Sequence, residues 1–169
     1  MKSYVRKNYD LIASIFDHDM ALNMRFDDVG FYVDRVAGKG SVLEVGCGTG
    51  RIAIPVSKVC KEFVGVDLSL PMLNGFQQKI LESESKNIQL AMMDARCLAF
   101  KKKFDYVFFG FSGINYLTQP DDVILFIQSL KSILATNGRV LLDTFVPKSI
   151  LNLLTGWTTD YVRQLPSGG

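Results

Sequence analysis

The chain has 169 residues, 48% of them apolar and 21% charged, which sets the expectation of one folded domain and excludes a disordered chain. Lys and Arg number 19 against 17 Asp and Glu, and the net charge of +2 is too small to advertise a nucleic-acid or acidic-membrane partner. Cys47, Cys60 and Cys97 form no CxxC pair, which argues against a disulfide framework or a metal site and fits a reducing compartment.

The N-terminus lacks a long apolar stretch and carries Asp10, Asp17 and Asp19, so a cytoplasmic chain without a membrane segment is expected. Two helical segments are predicted first. One holds Val5, Tyr9, Ile12 and Phe16; the other runs from Asp27 or Asp28 to Gly38 with Val29, Val33 and Val36 inward. Residues 1–38 then read as an N-terminal helical lid.

From residue 40, short apolar runs alternate with amphipathic stretches. The runs lie at 42–46, 63–68, 88–94, 104–111 and 139–145. Most hold three or more consecutive apolar residues, the pattern of parallel strands covered on both faces. Between them, Ile52, Val56 and Val59 share a helical face, as do Met72, Phe76 and Ile80, and Val123, Ile127, Leu130 and Leu134. Ser69 with Pro71 reads as a helix start, Asn137-Gly138 as the stop of the last helix, and Pro55 should shorten the first crossover helix. The order predicts an α/β fold, a doubly wound, mostly parallel sheet of five strands under a helical lid. Ligands in such sheets bind outside the carboxyl ends of the strands, where strand order reverses.

The strongest local signal is Val42-Leu43-Glu44-Val45-Gly46-Cys47-Gly48-Thr49-Gly50, a strand entering a glycine-rich turn. Arg51 stands where a dinucleotide fingerprint wants its third glycine, which disfavours the competing reading of an NAD(P)-dependent oxidoreductase. Glu44, near the end of a buried strand, needs a cationic or hydrogen-bonding partner. Asp67, ending the second strand, can accept both hydroxyls of a ribose. Asp94, ending the third, can accept from an exocyclic amine, with the Ala95 N–H facing a ring nitrogen. Three acceptors at successive strand ends match an adenosine with a positive side chain and no phosphate, which describes S-adenosylmethionine.

With VGVDLS, MMDARCLAF, FDYVFFGFSGINYLTQPDD and LKSILATNGRVLLDTFVP, the glycine string resembles the class I S-adenosylmethionine-dependent methyltransferases. It is most similar to their small-molecule branch, over about residues 1–155. The resemblance implies a Rossmann-like fold with residues 39–155 as the cofactor-binding domain, and methyl transfer to a small-molecule acceptor by in-line displacement. By position it implies that Gly46, Cys47, Gly48 and Gly50 line the methionine and ribose. Asp67 would hold the ribose, Leu68 and Met72 flank adenine, and Asp94 and Ala95 read the adenine edge. The backbone around Gly110 and Phe111 would meet the ammonium, and Tyr9 would close over the cofactor. His18 is the candidate general base, against a surface histidine in an acidic turn.

The family's sheet normally continues past the fifth strand with an antiparallel pair, for which residues 156–169 are too few. That predicts a C-terminally truncated chain, a bare edge at 139–145 open to homodimer pairing, and the alternative of a non-catalytic cofactor-binding fragment or pseudoenzyme.

Overall fold

The computed structural model describes residues 2–24, 27–83 and 85–144. The expected segment 156–169, and the ends of the predicted run 139–145 and domain 39–155, lie outside them. Strands β1 (Ser41–Val45), β2 (Glu62–Asp67), β3 (Ile88–Met92), β4 (Phe104–Phe109) and β5 (Leu134–Leu142) form one sheet. Their order is β3-β2-β1-β4-β5, and all four pairings are parallel. This is the expected doubly wound Rossmann-like sheet.

The alternation of side chains along each strand divides the core in two. Val42, Phe63 and Phe108 face one side, where they meet Tyr32, Val56 and Phe76. These come from α3 (Val29–Val36), α4 (Ala53–Ser57) and α5 (Leu70–Ser83). Leu43, Val64 and Val107 face the other side against Phe126, Leu130 and Ile133 of α6 (Pro120–Ile133). Strand order reverses between β1 and β4, so a crevice opens at their carboxyl ends.

Helix starts follow the sequence closely where a cap is chemically specified. The Ser69 hydroxyl accepts from the Met72 N–H at 3.3 Å at the start of α5, with Pro71 in the first turn. Helix α4 is only five residues long and contains Pro55.

Elsewhere the structure departs from the expectation. The first helical segment is two helices, α1 (Lys2–Ile12) and α2 (Phe16–Asn23). Helix α6 ends at Ile133, and Asn137 sits inside β5 with φ 66°, beside a register shift opposite Phe104–Tyr106. The Asn-Gly pair therefore makes an irregularity in the strand rather than a helix stop. Ile127 is 56% exposed, while Phe126 is fully buried, so the inward face of α6 lies one residue earlier than expected. Strand β3 stops at Met92 and β4 at Phe109, each two residues short of the apolar run. Ahead of β4, Lys102 pairs with Glu62 at 2.5 Å.

The glycines of the β1–α4 turn differ in what they do. Gly50 has φ +82°, and a Cβ there would lie 2.3 Å from the Phe76 ring. Gly48 has φ +52° and nothing within 4 Å of the same position. Gly50→Ala is accordingly expected to cost about 3 kcal/mol, from overpacking and a left-handed alanine together. Gly48→Ala carries only the backbone penalty of about 1 kcal/mol. Urea unfolding of both variants checks this, and equal midpoints would contradict it.

Candidate functional site

The glycine turn closes on the neighbouring strand, since the N–H groups of Gly46 and Cys47 both donate to the Val66 carbonyl, at 2.8 and 3.0 Å. This brings the carboxyl ends of β1 and β2 together and sets Asp67 beneath the loop. One Asp67 oxygen accepts from the Gly48 N–H and the other from the Ser69 N–H, both at 2.9 Å. An ionised carboxylate offers about four acceptor positions, so acceptor capacity remains for a further donor. Burial still raises the Asp67 pKa above its usual value, against the lowering effect of those amides.

Glu44 is 3% exposed, and its Oε2 has no hydrogen-bond partner although it borders the cavity. Desolvation pushes its pKa well above the ordinary carboxylate range, Arg51 opposes that shift, and Asp67 and Asp28 add to it. An unpartnered buried acid costs free energy unless a ligand meets it, and a cationic donor meets it best. Arg51 does not itself bond Glu44; it is held by Asp28 in a fork at 2.5 and 2.9 Å, with its guanidinium 5.2 Å from the Phe111 ring centroid. Cys47 is buried, and desolvation first, then Glu44 and Asp67, raise its pKa, which favours the neutral thiol.

One cavity collects most of the predicted residues. Glu44, Asp67 and Asp94 all line it, together with Gly46, Cys47, Gly48, Leu68, Ala95, Gly110, Phe111 and Tyr9. Three expectations fall outside. Met72 is completely buried in the core and does not reach the cavity, because the first turn of α5 aims it inward. Gly50 is absent from the lining and packs on Phe76. His18 is exposed on α2 and does not line the cavity.

Asp94 lies two residues past β3 and caps the short 3₁₀ turn Ala95–Cys97 through the Arg96 N–H at 3.0 Å. Its carboxylate also takes the Arg96 guanidinium at 3.0 and 2.8 Å, and the same guanidinium reaches Asp122 at the start of α6. Arg96, which sequence reasoning missed, is thus a fork that fixes the direction of Asp94. Arg96→Ala is expected to weaken binding of an adenosine ligand about tenfold, roughly 1.4 kcal/mol. Calorimetric titration checks this, and unchanged affinity would refute the role.

The lid attaches through polar contacts that the sequence did not disclose. The Ser69 hydroxyl donates to Asp10 at 2.6 Å and the Thr49 hydroxyl to Asp17 at 2.7 Å. Tyr9 donates to Tyr116 at 2.7 Å, their rings meeting edge-on with centroids 5.6 Å apart. Two acids first noted only as interruptions of an apolar stretch therefore fasten the lid beside the glycine turn and the α5 cap.

A family model described as a methyltransferase domain matches residues 42–138 of this sequence. The chain belongs to that family. It is 33% identical over 137 residues to YqeM of Bacillus subtilis (strain 168), whose name places it among the methyltransferases; the match covers 80% of this chain and 54% of that protein. Among solved structures, an S-adenosylmethionine-dependent methyltransferase from Clostridium acetobutylicum superposes with a TM-score of 0.73 at 22% identity, covering 92% of this chain and 66% of the other. The glycopeptide N-methyltransferase MtfA in complex with S-adenosyl-L-methionine gives 0.62 at 25% identity, over 68% of this chain and 52% of MtfA. The fold is therefore that of the class I methyltransferases, and S-adenosylmethionine is the cofactor that accompanies it. The chain spans about half the length of the curated relatives it matches. Among the described residues, no helix is long and apolar enough to cross a membrane.

Proposed function

We propose that this chain holds S-adenosylmethionine in the cavity at the carboxyl ends of β1, β2 and β4, for methyl transfer to a small-molecule acceptor. The observation that carries the reading is the convergence of Glu44, Asp67 and Asp94 on one cavity, with Glu44 Oε2 unpartnered. Asp67 takes the ribose hydroxyls, Asp94 and Ala95 meet the adenine edge beside Leu68, and Glu44 balances the positive methionine end. The glycine turn at Gly46–Gly48 and the backbone at Gly110 and Phe111 let the ligand approach closely, and Tyr9 closes the lid.

Bound here, S-adenosylmethionine supplies an electrophilic methyl group on a sulfonium. The protein's share is positioning, worth about 7–11 kcal/mol when the reacting atoms are held near attack distance. Names among the relatives, such as a ubiquinone biosynthesis O-methyltransferase from Albidiferax ferrireducens at 27% identity, support a small acceptor. A cytoplasmic location fits the unbridged cysteines. Pairing of two copies along the outer edge of 139–145 belongs to the same reading, and light scattering separates it from a monomer.

Isothermal titration with S-adenosylmethionine and, separately, NADH tests the assignment. Saturable binding of the first alone is expected; binding of NADH alone would overturn it.

A further inference from the structure

The turn that follows β4 is built against its own sequence. The Gly113 N–H donates to the Gly110 carbonyl at 3.1 Å, and both residues between them are left-handed, Phe111 at φ 53° and Ser112 at φ 58°. A turn with two left-handed central residues is normally filled by glycine, asparagine or aspartate. Phe and Ser pay a steric penalty there and persist only where the surroundings hold them. Neither flanking glycine leaves the turn slack. A Cβ on Gly110 would stand 3.0 Å from the Tyr32 hydroxyl, and one on Gly113 would fall 1.9 Å from the Phe109 ring.

The group that holds the turn comes from another strand. Asp143, immediately after β5, accepts the Ser112 N–H on one oxygen and the Tyr32 hydroxyl on the other, both at 2.8 Å. Tyr32 is 2% exposed in the core, so the carboxylate is anchored to a fixed point. Burial first, and then Asp143, hold the Tyr32 phenol above its usual pKa, and it remains a donor. Asp143 does not line the cavity, whereas Gly110, Phe111 and Gly113 do.

We propose that Asp143 is a positioning residue for the methyl donor, tying the strained Gly110–Gly113 turn to Tyr32 so that its backbone stays in place at the methionine end of the cavity. The inference rests on the cofactor reading above. Asp143 touches no ligand itself; it acts through the Ser112 amide.

Three variants test it, Asp143→Ala, Asp143→Asn and Tyr32→Phe, with two readouts. Titration with S-adenosylmethionine measures affinity, and amide exchange by NMR measures protection of the Ser112 N–H relative to the β1 and β4 amides. Asp143→Ala is expected to lose at least tenfold in affinity and to expose the Ser112 amide while the strand amides stay protected. Tyr32→Phe keeps the Ser112 bond but frees the Asp143 carboxylate from its anchor, so its affinity should lie between those of the parent and Asp143→Ala. Asp143→Asn, nearly the same shape, should fall between and remains informative if the alanine variant does not fold. Affinity within twofold of the parent in both Asp143 variants, or an unchanged Ser112 amide, would overturn the proposal. Failure of the parent chain to bind S-adenosylmethionine would instead sink the cofactor reading on which it stands.

Discussion

Asp67→Ala should abolish measurable S-adenosylmethionine binding, a loss of at least a hundredfold, or about 2.7 kcal/mol. The size follows from where the carboxylate stands. It ends β2 at the crevice, and its two oxygens already hold the Gly48 and Ser69 amides. Removing it takes away the acceptors proposed for the ribose and at the same moment orphans two backbone donors that shape the cavity floor. Asp67→Asn is the informative companion. Its single oxygen can serve one amide, and the NH₂ group meets the other as donor against donor, so affinity should fall nearly as far while the fold persists. Titration of both variants, with circular dichroism to verify folding, checks the point. Tight binding by either would remove Asp67 from the site.

The second large effect is expected at Glu44, and its sign depends on pH. Desolvation raises the pKa of this acid in the folded chain well above its reference value of 4.5. The unfolded chain therefore releases the proton first as pH rises, and stability falls from about that reference value upward until the folded-state pKa is passed. Glu44→Gln removes this loss, so the variant should be as stable as the parent in acid and more stable at neutral pH. Affinity should move the other way. A ligand bringing positive charge to Oε2 favours the carboxylate, so binding in the pH range below the raised pKa releases a proton and tightens as pH rises. Glu44→Gln should weaken S-adenosylmethionine at least tenfold and abolish that proton release. Titration in buffers of differing ionisation enthalpy reads the proton directly. Proton release that survives in Glu44→Gln would place the titrating group elsewhere.

The sequence disclosed most where one physical requirement acts alone. Strands β1, β2 and β4 are covered on both faces, so their apolar runs stand out, and the acids at their ends stand out against those runs. Glu44 and Asp67 could be read for that reason. Requirements that conflict were hidden. Helix α6 carries Ile124, Leu125 and Ile127 on exposed positions and Phe126, Leu130 and Ile133 on buried ones, so apolarity alone does not give its phase. The family resemblance places Met72 and Gly50 at the ligand, yet here Met72 is buried inward from the α5 cap and Gly50 lies against Phe76. Asn137-Gly138 does contain the left-handed residue that its composition suggests, but the turn falls within β5. Contacts between distant residues left no local trace at all. Asp143 with Tyr32, Asp17 with Thr49 and Asp10 with Ser69 are separated by 111, 32 and 59 positions.

A crystal structure of the chain soaked with S-adenosylhomocysteine tests the account most directly. The ribose hydroxyls should lie within hydrogen-bonding distance of Asp67, the adenine amine beside Asp94, and the amino group on the Glu44 side of the glycine turn. An adenosine seated away from these three carboxylates, with the cavity between β1 and β4 left empty, would contradict it.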